Sequence, residues 1–145
     1  DKVRIKLSAV SATVKDKRVV LVDDSIVRGT TLGKVVKMLR DAGAKEVHIR
    51  ISAPPFLYPC YYGTDIDSSE VLIAYKHSIP EICEIMGADS LGYLSVQDVM
   101  RIAENGNGCG FCTACFDGNY PTKVPAVKKK NRFEQKISQK EEKYE

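Results

Sequence analysis

Two adjacent carboxylates, Asp23 and Asp24, stand between an apolar run and a short loop, Ser25-Ile26-Val27-Arg28-Gly29-Thr30-Thr31. Neighbouring side chains diverge, so the two acids cannot both grip one atom. They can span adjacent hydroxyls of a sugar, directly or through a hydrated Mg²⁺, a hard cation that favours oxygen ligands. In the loop, main-chain N–H groups and the hydroxyls of Ser25, Thr30 and Thr31 can cradle a phosphate. Gly29 permits close backbone approach or a positive φ. A helix starting after the loop would aim its dipole and its free N–H groups at the same point. Together these residue types describe a site for a sugar diol and a phosphate.

Such a site needs a frame. Val19 to Val22 reads as a strand buried on both faces, as in a parallel sheet, and ligands of open α/β sheets bind at the carboxyl ends of such strands. Leu32, Val35, Val36 and Leu39 fall at i, i+3, i+4 and i+7, one stripe of a helix, with Lys34, Lys37 and Arg40 off it and Gly43 as a stop. The plainer reading of the acids is a solvated turn with Asp or Ser as an ordinary N-cap. The whole stretch from strand to helix favours the ligand site. Further on, Glu46 to Ser52 alternates as a strand and Ala53-Pro54-Pro55 ends it. Pro59 to Ser69 reads as a loop holding Cys60, and Val71 to Ala74 as a short strand. A helix starts at Ser78 or Ile79, with Pro80 in its first turn. Leu91 to Leu94 reads as a strand. Ser95 caps a helix to about Glu104, broken by Asn105 to Gly110. Asp1 to Leu7 alternates like a strand that begins mid-sheet. His48 reads as a packing residue, and His77 has no recognisable partner.

The cysteines form a second group: Cys60, Cys83, Cys109, Cys112 and Cys115. Cys112-Thr113-Ala114-Cys115 is a CxxC, with Cys109 three residues before it. Such spacing lets thiolates converge on a metal or an iron–sulfur cluster. Four thiolates would equally close a zinc site. A redox CxxC would want a thioredoxin-like βαβ unit, which is not evident. A disulfide framework does not suit a chain with no secretory signal that reads as cytoplasmic. Cys83, in the helical stretch Pro80 to Met86, reads as a small core residue.

Val19 to Thr31 resembles the phosphoribosyl-pyrophosphate motif of type I phosphoribosyltransferases. More narrowly, Val20 to Thr31 resembles the amidophosphoribosyltransferase family, the glutamine phosphoribosylpyrophosphate amidotransferases. Colinear segments carry the same resemblance: Met38 to Ala44, Arg50 to Pro55, Pro59 to Gly63, Gly87 to Leu94 and Cys112 to Pro121. Short motifs recur by chance, but this many in register are specific. The likeness runs from about Val3 to Pro121.

The resemblance implies an α/β fold: part of a type I phosphoribosyltransferase (Rossmann-like) parallel sheet with flanking helices, plus a cysteine-containing C-terminal segment. It implies the committed step of purine biosynthesis, in which ammonia freed from glutamine displaces pyrophosphate from phosphoribosyl pyrophosphate to give 5-phosphoribosylamine. Asp23 and Asp24 would hold the ribose hydroxyls and Mg²⁺. Ser25, Val27, Arg28, Gly29, Thr30 and Thr31 would bind the 5′-phosphate. No side chain need be a nucleophile. One branch of the family carries a [4Fe–4S] cluster, and its ligands match Cys60, Cys112 and Cys115, with a fourth upstream of this chain. Homo-oligomers and feedback inhibition by purine nucleotides are implied for the parent enzyme in the same way.

The departures set further expectations. Residue 1 is Asp where the family's glutaminase has its catalytic cysteine. The glutaminase domain, the loop that closes over substrate and the pyrophosphate-binding segment have no counterpart here, and Ser8-Ala9-Val10 replaces Asn-Pro-Val. The expectation is a C-terminal fragment, incomplete as an enzyme by itself: 1–104 transferase, 105–121 iron–sulfur type segment, 122–145 charged tail. Composition fits one globular piece, with 43% hydrophobic and 28% charged residues. A net charge of +3 is too small to argue for nucleic acid, and no run is long and apolar enough to suggest a membrane span. Two other classes stay open. A noncatalytic phosphoribosyl-pyrophosphate-binding regulator would need an effector domain, and none is visible. A metal-stapled interaction module would leave the Asp23-Asp24 loop unexplained.

Overall fold

The computed structural model describes residues 11–66, 68–103 and 110–124. The N-terminal strand expected at 1–7, Ser8-Ala9-Val10, Cys109 and the tail from 125 onward lie outside the described residues. In chain order the elements are α1 (Ser11–Val14), β1 (Arg18–Asp23), α2 (Thr30–Asp41), β2 (Glu46–Ile51), a 3₁₀ turn (Ser69–Val71), α3 (Ile73–Lys76), α4 (Ile79–Met86), β3 (Ser90–Tyr93), α5 (Val96–Ala103) and α6 (Ala114–Asp117). The strands form a parallel sheet in the order β1-β2-β3. Asp23 pairs with Ile51, and Ile51 with Tyr93, so these three residues share the row at the carboxyl edge.

The main core lies on one face of this sheet. Val47, Ile49 and Ile51 alternate inward from β2 and meet Leu32, Val36 and Leu39 of α2 and Ile82 and Met86 of α4. The stripe read from sequence is thus the buried stripe of α2. α4 begins with a capping box, in which Glu81 accepts from both the N–H and the hydroxyl of Ser78, at 2.7 Å each. It ends at Gly87 in the left-handed region. Asp89 ties three elements together. Its carboxylate accepts the Val47 N–H at 2.6 Å and an Arg40 N–H at 2.6 Å, while Arg40 also donates to the Lys45 carbonyl. The Val47 N–H is the largest of the interactions that hold the Asp89 carboxyl below its ordinary range. This latch fixes the end of α2 against the starts of β2 and β3.

Two expectations are corrected. Among the described residues β1 is covered on one face, not both: Val20 is 60% exposed and Val22 69% exposed. The packed helices α2 and α4 share the opposite face. The uncovered face carries a polar ladder instead, with Arg18 donating to Glu46 at 2.6 Å, and His48 within 3.0 Å of both Glu46 and Ser90. Residues 71–74 are not a strand. Ser68 caps the 3₁₀ turn by accepting the Glu70 N–H, and α3 starts at Ile73. The apolar run serves as an anchor: Leu72 is fully buried with Phe56 and Ile66 in a second core. Cys83 is half-buried and donates to the Ala88 carbonyl, consistent with a packing role.

Candidate functional site

β1 delivers Asp23 to the carboxyl edge of the sheet, and the chain then turns through 24–29 into α2. Asp23 is half-buried and Asp24 exposed, so the two carboxylates diverge as adjacency dictates. Each spends one oxygen on the next main-chain N–H: Asp23 Oδ1 accepts from Asp24 N–H at 3.0 Å, and Asp24 Oδ1 accepts from Ser25 N–H at 2.8 Å. A carboxylate has two oxygens, so these bonds orient the acids without exhausting them. Ile26 is buried and pins the loop to the main core.

Gly29 is the N-cap of α2, with φ 75° and ψ −11°, and no side chain caps the helix. The first turn of α2 carries no acid. Its N-terminal N–H groups therefore carry neither a side-chain cap nor an acid within their own turn, which suits an anion. The positive φ at Gly29 favours glycine, and a larger residue would also have to displace two side-chain ends. A Cβ there would stand 2.9 Å from both Ile73 Cδ1 and Met86 Cε. A cavity of about 270 Å³ opens over this turn, lined by Asp23, Ser25, Val27, Arg28, Gly29, Thr30 and Thr31, with Ile26 and Leu32 at its floor. Every residue named from sequence for this site lines it except Asp24, which stands outside the cavity wall.

The cysteines gather elsewhere. Cys60, Cys112 and Cys115 line one cavity of about 200 Å³, together with Tyr62, Gly63, Thr64, Ala114 and Tyr120. Burial opposes ionisation of Cys60, but N–H groups of Thr64, Tyr62 and Gly63 outweigh it and bring the thiol down to about 7. The Thr64 N–H lies 3.3 Å from the sulfur. Burial, followed by the neighbouring Cys60 sulfur, pushes Cys115 up to about 11. A cation beside the sulfur would offset both effects. Tyr120 lines the cavity, donating to the Pro59 carbonyl at 2.7 Å and meeting Tyr61 and Tyr62 in tilted ring contacts with centroids 5.1 and 6.4 Å away.

In donor chemistry the three thiols fit a thiolate-bound metal or iron–sulfur centre, and in number they are one short of the four that such centres take. Among the described residues no three His, Cys, Asp or Glu groups converge tightly enough to hold a metal ion. At the other site, two carboxylates suit Mg²⁺, which takes one or two protein carboxylates plus ligand oxygens and water.

Sequence reasoning did not find Ile73 and Met86 beneath Gly29, nor Tyr120 beside the cysteines. The contacts of Gly29 with Ile73 and Met86, and of Tyr120 with Pro59, join residues tens of positions apart and leave no local pattern. Among the described residues no helix is long and apolar enough to cross a membrane.

Comparison with known proteins gives four matches. The phosphoribosyl transferase domain family matches residues 2–55. Amidophosphoribosyltransferase of Bacillus subtilis is 53% identical over 125 residues, covering 84% of this chain and 26% of that protein. The enzyme of that name from Pyrococcus horikoshii is 57% identical over 120 residues, covering 83% and 26%. The solved structure of glutamine phosphoribosylpyrophosphate amidotransferase from B. subtilis, complexed with ADP and GMP, superposes with a TM-score of 0.74 at 52% identity. It covers 82% of this chain and 27% of that one. The chain thus spans about a quarter of the length of the relatives it matches.

Proposed function

This chain belongs to the amidophosphoribosyltransferase family, and from that premise we propose that it supplies the phosphoribosyl-pyrophosphate-binding part of that transferase. The observation that carries the reading is the acid-free N-terminus of α2 facing a cavity lined by the loop from Ser25 to Thr31, with Asp23 at its edge.

In this reading the 5′-phosphate sits against the N–H groups of the loop and the hydroxyls of Ser25, Thr30 and Thr31. Arg28 adds positive charge. Asp23 and Asp24 take the ribose hydroxyls and would hold a Mg²⁺, which would supply positive charge to stabilise the departing pyrophosphate. The reaction breaks the bond between the anomeric carbon and pyrophosphate and forms one to ammonia, which is released from glutamine by parts of the parent enzyme that have no counterpart in this sequence. The contribution of these residues is orientation and electrostatic stabilisation, and none of them is a nucleophile. A purine nucleotide presents the same ribose and 5′-phosphate, so it would compete for this loop.

The same reading assigns Cys60, Cys112 and Cys115 to a [4Fe–4S] cluster, completed by a ligand from outside this chain. It divides the chain into a transferase part (1–104), a cysteine segment (105–121) and a charged tail (122–145). The cluster would act as a staple between the cysteine segment and the transferase part.

The test is a calorimetric titration with phosphoribosyl pyrophosphate, with and without Mg²⁺. Magnesium-dependent binding that is lost in Asp23→Asn, Asp24→Asn supports the reading. A folded wild-type chain that gives no heat of binding rejects the loop as a site that works in this chain. Iron and sulfide analysis separates the cluster from a zinc staple.

A further inference from the structure

Val27 stands between one cavity and the core that borders the other. It lines the phosphate cavity, and its side chain packs against the second core of Phe56, Ile66 and Leu72. That core also receives Cys60, Cys115 and Phe116, and Cys60 and Cys115 line the other cavity. The main chain repeats the connection. The Val27 carbonyl accepts the Ile73 N–H at 2.9 Å, and Ile73 is the residue that crowds Gly29 from below. On the far side, Leu57 and Tyr58 donate to the Cys115 carbonyl at 2.9 and 3.1 Å. Phe116 meets Phe56 with ring centroids 4.9 Å apart. A continuous packed path therefore runs from Cys115 through Phe116, Phe56 and Leu72 to Val27 and the loop. Close-packed interiors transmit displacement because they have few voids to absorb it.

We propose that Val27 is a positioning residue that couples the two cavities. A phosphate ordering residues 25–31 tightens the segments around 56–60 and 114–118, and rearrangement of the cysteine cavity loosens the phosphate loop. Coupling of this kind is reciprocal: each site changes the other's affinity by one factor. The inference rests on the reading of the loop as a phosphate site. It goes beyond that reading in making the loop's affinity depend on the packing behind Val27 and on residues outside the cavity, such as Phe116.

Hydrogen exchange followed by mass spectrometry on the full 145-residue chain, with and without Mg–phosphoribosyl pyrophosphate, tests it, with calorimetry run alongside. In the wild-type chain, ligand should slow exchange in peptides spanning 56–60 and 114–118 as well as in the loop. Val27→Ala should bind about 10-fold more weakly, within the ordinary range of site coupling, and lose the remote slowing. Val27→Ile should keep it. Phe116→Leu lines neither cavity, yet it should weaken binding by about 3-fold through the shared core. Wild-type binding with no remote slowing overturns the coupling, and needs no variant to do so. Remote slowing that survives in a folded Val27→Ala overturns the role of Val27. If the wild-type chain gives no heat of binding, the phosphate-site reading fails, and the coupling fails with it.

Discussion

The two cavities are built by opposite means. The cavity over the Ser25–Thr31 loop, proposed to take phosphate, lies where a strand ends and a helix begins, so main-chain geometry shapes it. A parallel sheet fixes Asp23, Gly29 supplies the left-handed turn, and the acid-free start of α2 supplies the donors. The cysteine cavity lies between loops. Its thiols come from positions 60, 112 and 115, and what holds it is a set of side-chain contacts: the Tyr120 bond to Pro59, the Phe56–Phe116 pair and the N–H groups around Cys60. The first is ready for a ligand because the fold already satisfies its frame. The second holds three sulfurs around one space, with Cys115 disfavoured as a thiolate by burial first and by its sulfur neighbours second, and it gains most from whatever fills it. A backbone-built site should thus fail through single backbone changes, and a side-chain-built site should fail by degrees.

Gly29→Val should give the largest effect. It places a β-branched residue at φ 75° and a Cβ within 2.9 Å of Ile73 and Met86. The expected result is a loss of about 2–4 kcal/mol of stability, from backbone strain plus overpacking, and phosphoribosyl-pyrophosphate affinity reduced at least about 100-fold. Thermal melts and calorimetry would show both. Next is Cys60→Ser combined with Cys112→Ser. Here the expected outcome is no change in secondary structure by circular dichroism and less than about 1 kcal/mol of lost stability without metal, as for half-exposed sites, but loss of any iron or zinc retained by the wild-type chain. Equal damage from both changes would erase the contrast between the cavities.

The Asp89 latch belongs to the frame, so Asp89→Asn should cost about 1 kcal/mol, since a partly exposed charged hydrogen bond is weakened by solvent. Its folded-state pKa is depressed. Its stabilisation is therefore present above the unfolded carboxyl pKa and is lost as pH falls through the folded value. The wild-type chain should lose stability on acidification more steeply than Asp89→Asn in urea titrations below about pH 4. Tyr62→Phe should have the smallest effect. It removes the contact of the phenol with the Thr122 hydroxyl, 3.0 Å away and exposed, which is worth about 0.5 kcal/mol. Faster exchange confined to 57–64 and 120–124 would identify the loop-built cavity as the softer of the two.

How much of this was legible depended on distance along the chain. The stripe Leu32, Val35, Val36 and Leu39 reports directly on the buried face of α2, and Ser78 with Glu81 marks the start of α4, because caps and periodicity are local. The loop from Asp23 to Thr31 could be read as one cavity wall because nearly all of it is consecutive. The exposed face of β1 could not be read, since Val20 and Val22 have the same composition whether or not a layer covers them. Residues 71–74 misled for a related reason. Four residues of apolar chain suit a strand, but burial of Leu72 against Phe56 and Ile66 and the Ser68 cap turned them into an anchor and a helix start. The cysteine spacing suggested a shared centre, but not the tyrosines beside it.

The measurement closest to the central claim is amide chemical-shift mapping of the ¹⁵N-labelled chain during titration with Mg–phosphoribosyl pyrophosphate. The account predicts saturable shifts centred on the N–H groups of Ser25 to Thr31, abolished when Asp23 and Asp24 are both replaced by Asn. A folded chain whose loop amides do not move, or whose shifts centre away from the start of α2, would contradict it.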